Sequence, residues 1–112
     1  MKKKIIKKVT ILLLMILFCY NFRLTYVHGC SMEPTLKEGD LLLCNTLDTP
    51  NIGDIVIVKP SFDTVPDQYI IKRVTDIKDG KVFLQGDNRE NSFDSRNFGW
   101  IDEDLVFGVI ID

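Results

Sequence analysis

Apolar and polar positions divide the 112-residue chain into two unlike parts. From Val9 to Phe22 nearly every residue is apolar (VTILLLMILFCYNF), the pattern of a helix that meets lipid. Beyond residue 40 the apolar residues come in short groups rich in β-branched side chains and bounded by turn residues. These groups predict strands at 40–45 (DLLLCN), 54–59 (DIVIVK), 68–75 (QYIIKRVT), 81–85 (KVFLQ) and 105–111 (LVFGVII). Between them, 48–53 (DTPNIG), 60–66 and 78–80 (KDG) carry loop and turn chemistry. No segment beyond the first has a helical period. The pattern predicts a mainly β body, a small twisted antiparallel sheet or barrel, behind one N-terminal helix.

Charge sharpens that division. Residues 1–28 carry Lys2, Lys3, Lys4, Lys7, Lys8 and Arg23 and no acid, which gives +6. Residues 29–112 carry eight basic and sixteen acidic residues, which gives −8. A basic N-terminus before an apolar run is a membrane-topology signal. The stretch from Ile5 to Phe22 covers roughly 27 Å as a helix, provided that Lys7 and Lys8 reach back to the interface. Tyr20 and Tyr26 are candidate interfacial anchors at its far end. The expected organisation is a cytoplasmic basic tail and transmembrane anchor over 1–28, with an extracytoplasmic body over 29–112. A cleaved leader is the alternative, but no small-x-small site follows the run. Val27-His28-Gly29-Cys30 only faintly resembles a lipoprotein cleavage box. The acidic body excludes nucleic acid as a partner, since phosphate binding needs clustered Lys and Arg.

Of three cysteines, Cys19 falls in the anchor; Cys30 and Cys44 could pair outside the membrane, but a bridge would clamp the backbone beside Ser31, and two free thiols are the preferred reading. The single histidine, His28, has no ligand partner at metal-binding spacing, so no metal or cofactor is expected.

Two stretches invite a chemical reading. In GCSMEPTLKEGD (29–40), Gly29, Gly39 and Pro34 restrict the backbone around Ser31, for a turn or for chemistry. In YIIKRV (69–74), strand alternation puts Lys72 on one face with Ile70 and Val74. If that face is core, the lysine is desolvated and its pKa lowered. If the strand is an edge, Lys72 faces water and guards against edge pairing. The polar segment 86–99 (GDNRENSFDSRNFG) fits a calcium loop poorly; it reads as an ordered loop.

Taken together, these segments resemble type I signal peptidases, membrane-anchored serine proteases that remove leader peptides. Ser31-Met32-Glu33-Pro34-Thr35-Leu36 with Gly39-Asp40 resembles the family's nucleophile segment. Gly53-Asp54-Ile55-Val56 resembles its next box, Ile71-Lys72-Arg73-Val74 its lysine strand, and Gly86-Asp87-Asn88-Arg89 through Ser92, Asp94-Ser95-Arg96 and Phe98-Gly99 its last box. The resemblance implies Ser31 as nucleophile and Lys72 as general base. It implies Ser92 as the residue that orients the lysine, with Gly29, Asp94 and Arg96 in support. Met32 and Ile70 are expected to line shallow pockets for small side chains. The implied partners are exported precursors with small-x-small cleavage sites and membrane lipid, for a monomeric enzyme at a bacterial-type cell membrane. Three departures stand out. Gly29 replaces a serine hydroxyl that some members add to the oxyanion hole. Thr75-Asp76-Ile77 follows Lys72-Arg73-Val74 where Pro-Gly-Asp is usual. Only 19 residues separate Lys72 from Ser92, so the family's variable second domain is missing. Other readings are a protease dedicated to one secreted or pilus-type substrate, a self-cleaving regulator of the SOS-repressor type, and a non-catalytic tethered β module.

Overall fold

The computed structural model describes residues 2–59 and 69–111. The predicted 60–66 loop, and the first residue of the predicted 68–75 strand, lie outside them. The chain opens with α1 (Lys2–Asn21) and runs directly into β1 (Phe22–Tyr26). After the segment 27–40 come β2 (Leu41–Asn45), β3 (Ile55–Val58), β4 (Ile70–Lys78), β5 (Lys81–Gln85), the short helix α2 (Ser95–Phe98), β6 (Ile101–Asp102) and β7 (Val106–Ile110).

The strands form one curled antiparallel sheet in the order β1-β2-β7-β3-β4-β5-β6. The mainly β expectation holds. β4 and β5 are joined by Asp79 and Gly80, both at positive φ (50° and 73°), the two-residue turn whose twist matches paired strands. β3 is central and buries all four of its residues. Ile55 and Ile57 face one apolar cluster, with Val27, Met32, Leu42, Cys44 and Ile110. Val56 and Val58 face a second, with Val74, Val82, Leu84, Ile101 and Val109. The thiol of Cys44 is pushed up by this burial, and all three cysteines are free.

Two findings amend the sequence reading. β1 was not foreseen: residues 22–26 pair with β2, from Phe22 against Asn45 to Tyr26 against Leu41. Tyr26 is thus a strand residue. The N-terminal helix does form, but no described helix is long and apolar enough to cross a membrane. Lysines occupy its first two turns, and the run from Val9 to Tyr20 rises only about 18 Å against roughly 30 Å of hydrocarbon.

Candidate active site

The segment 29–40 is held at both ends and in the middle. Val27 N–H donates to Asp40 O (3.0 Å) and Gly39 N–H donates back to Val27 O (2.9 Å). Met32, 1% exposed, plugs the segment into the first apolar cluster. Gly29 lies at φ +76° with open space around it. Asn88 N–H donates to Ser31 O (2.9 Å), and its side-chain amide donates to Cys30 O (3.1 Å). Thr35 Oγ1 donates to Asp87 Oδ2 (2.6 Å). Asp87 also receives Arg73 Nε and Nη2, each at 2.8 Å, and Arg73 donates to Gly53 O. Arg73 follows Lys72 on β4, so this forked pair ties the serine segment to the lysine strand.

Lys72 is 5% exposed. β4 lies between β3 and β5, so the edge-strand reading is overturned. Lys72 pairs with Val56 of β3. On the other side β5 ends at Gln85, opposite Arg73, and the chain turns away just where the lysine side chain needs room. Burial lowers the Lys72 pKa, Arg96 adds to the lowering, and Asp94 and Cys30 hold it back. The physical direction is the one a neutral amine requires.

Ser31 and Lys72 line one cleft of about 600 Å³, together with Met32, Ile70, Ile71, the end of β1 (Thr25 and Tyr26) and the Val27 and His28 that follow it. That volume suits a peptide segment. Among its described lining residues there is no acidic side chain, although the body as a whole is acidic.

Behind the cleft sits Asp94, fully buried. Its Oδ2 accepts from Ser92 Oγ (2.7 Å) and Gly86 N–H (2.9 Å). Arg96 grips both oxygens, Nε to Oδ1 at 2.9 Å and Nη2 to Oδ2 at 3.0 Å. Burial raises the Asp94 pKa, but these donors, Arg96 foremost, outweigh it and hold the carboxyl well below its usual range. Asp94 also caps α2, accepting from Arg96 N–H while Asn97 Oδ1 accepts from Asp94 N–H. Ser95, 2% exposed, accepts Leu84 N–H of β5 at 2.8 Å.

Gly86 is a residue that sequence reading passed over as a site member. A Cβ there would lie 2.3 Å from Ser92 Oγ and 2.5 Å from Ser31 O. Only a bare backbone lets the Ser92 loop and the Ser31 segment approach this closely. The sequence signals were its place directly after a strand and at the head of the last box, without a role of its own.

The structure therefore brings Ser31, Lys72, Met32 and Ile70 to one cleft, and joins Ser92, Asp94 and Arg96 in one network behind it. Gly29 stands two residues before Ser31 and is not among the residues that line the cleft. Comparison with known proteins agrees in class. A family profile described as Peptidase S24-like matches residues 19–111. The chain is 32% identical to mitochondrial inner membrane protease subunit 1 of Xenopus tropicalis, over 83% of this chain and 69% of that one. It is 31% identical to mitochondrial ATP-independent inner membrane protease subunit 1b of Arabidopsis thaliana, over 79% and 67%. A probable signal peptidase I-1 of Synechocystis is 25% identical over 74% and 66%, in line with the resemblance read from the sequence.

Proposed function

Because the chain belongs to the Peptidase S24-like family and is signal-peptidase-like, we propose that it is a serine endopeptidase that trims leader peptides from exported precursors, with Ser31 as nucleophile and Lys72 as general base. The observation that carries this reading is the buried Lys72 sharing a cleft with Ser31. A serine hydroxyl attacks a peptide carbonyl only when a neighbouring base takes its proton. A neutral Lys72 amine takes it, then returns it to the departing amine. Backbone N–H donors of the Ser31 segment meet the oxyanion; Gly29 brings no hydroxyl to that task. Water then releases the acyl group by the same proton route.

Small side chains at the first and third positions before the cut are selected by exclusion, with Met32 and Ile70 as walls. No metal or cofactor enters the reaction. The apolar surface of α1, exposed from Ile5 to Phe18, and its lysine-rich start support membrane attachment; with Lys7 and Lys8 reaching back to the interface to lengthen the apolar run, the N-terminus is cytoplasmic and the body outside. The acidic body leaves no role for nucleic acid, and the enzyme acts as a monomer.

The test is cleavage of a panel of exported precursors by the lipid-reconstituted wild type and by Ser31→Ala. Processing by wild type alone, at small-x-small sites, is expected. Equal processing by Ser31→Ala would refute the assignment, and cleavage of a single precursor would mark a dedicated enzyme.

A further inference from the structure

The helix and the sheet meet without a linker. α1 ends at Asn21 and β1 begins at Phe22. Asn21 is buried, and its carbonyl accepts both the N–H and the hydroxyl of Thr46, each at 2.8 Å. Thr46 directly follows β2. Arg23 donates to the carbonyls of Cys19 and Phe22, and the rings of Phe18 and Phe22 stack at 4.6 Å. The last carbonyls of a helix are ordinarily left to water or a local cap. Here the body takes the carbonyl of Asn21, through Thr46, and Arg23 takes that of Cys19. The cleft begins at once: Thr25, the first of its β1 residues, is four residues past Asn21, roughly 13 Å at the usual rise of a strand.

We infer that this stiff α1–β1 joint is a ruler: with α1 seated in a bilayer, it fixes the height of the cleft above the lipid and selects the bond to be cut by its distance from the membrane. The inference rests on the protease reading above. A flexible tether lets a site sample many heights, and bond choice then falls to the side-chain pockets alone. A tethered site held at one height meets only the bonds that reach it, and positioning of this kind dominates reaction rates.

The test uses the full chain in liposomes. The substrates are a membrane-held precursor with two identical small-x-small sites in tandem, and a soluble peptide carrying the same site. A four-residue Gly-Ser insertion between Asn21 and Phe22, which turns the joint into a flexible tether, is expected to level the cutting of the two tandem sites, where wild type prefers one. Thr46→Val, which removes one of the two bonds to Asn21, is expected to blur the choice between sites. Soluble-peptide cleavage should stay as in wild type for both. An unmoved site ratio in the insertion variant would overturn the ruler. Should that variant lose peptide cleavage too, wild type decides with precursors whose spacer between membrane and site is varied. The rate should peak at one spacer length, and a flat profile overturns the inference. A wild type that cleaves no soluble peptide removes the protease reading itself, and the ruler with it.

Discussion

Ser92 Oγ donates to Asp94 Oδ2 across 2.7 Å, and that bond limits what else Ser92 can do. A hydroxyl has one proton to give. With it committed to Asp94, Ser92 has only acceptor capacity left to offer. In the proposed mechanism it accepts an N–H of the neutral Lys72 amine and so turns the lone pair toward Ser31. Ser92→Ala is expected to lower kcat by about 10²-fold with KM little changed, and Ser92→Thr to restore part of the loss. A Ser92→Ala enzyme with wild-type kcat would remove Ser92 from the site.

Lys72 separates base from charge. Lys72→Met and Lys72→Arg are both expected to be inactive, because a guanidinium holds its proton at any usable pH. Wild-type kcat/KM should rise with pH through a group below the roughly 10.4 of a free lysine. On substitution of Lys72, stability moves the other way from activity. With its folded pKa lowered, Lys72 is destabilising while the unfolded chain binds the extra proton, and that cost shrinks as pH rises toward the unfolded value. Lys72→Met removes it, so the inactive variant should resist urea better than wild type near neutral pH, by about 1 kcal/mol. A less stable Lys72→Met, or an active Lys72→Arg, contradicts the assignment.

Acid should unfold the body through Asp94 and Asp87. Both carboxyl pKa values are lowered, Asp87 chiefly by hydrogen bonding to Arg73. A lowered folded pKa contributes stability that is full above the unfolded value, about 3.9, and is lost as pH falls through the folded one. Urea midpoints should therefore be lower below about pH 4 than between about pH 5 and 6. Asp94→Ala leaves the Gly86 N–H and the Ser92 hydroxyl without their acceptor, at a cost of about 2–4 kcal/mol. An acid-independent midpoint would show these carboxyls to be ordinary.

Two glycines give a paired test. A Cβ at Gly86 meets Ser92 Oγ and Ser31 O; one at Gly108 meets Cys44 Sγ at 2.1 Å and Asn45 O at 2.9 Å. Each alanine overfills a packed region, for about 1–3 kcal/mol. Only Gly86→Ala should also abolish peptide cleavage at a temperature where both variants are folded. Equal activity in the two would separate Gly86 from the site.

Where side-chain period and local turn chemistry decide, the sequence was legible. KVFLQ was read at the residues where β5 forms, and DIVIVK brackets β3 within a residue at each end. β1 was missed because FRLTY follows the helix with no turn residue between them. β6, at two residues, is too short to have a period. β4 runs on through Lys78 because the register shift between Val74 and Asp76 lets the strand continue past a polar stretch. Ser31, Met32, Ile71 and Lys72 of the cleft were legible from the box residues, but its wall from Thr25 to His28 was not. The burial of Asp94 was not, since an aspartate between Phe93 and Ser95 in a charged loop looks solvated until β5, α2 and the Ser31 segment close around it. The fate of Lys72 hung on whether β4 was an edge, and that depends on strand order, which no local pattern contains.

The central strand has a further consequence. β3 is at once a wall of the cluster that seats Met32, and with it Ser31, and a wall of the cluster that holds Val74 beside Lys72. Neither cluster can close before β3 is in place, and once it is, each stabilises the other. A partly folded chain therefore presents no half-assembled cleft, and hydrolytic power arises only with the last cooperative step of folding.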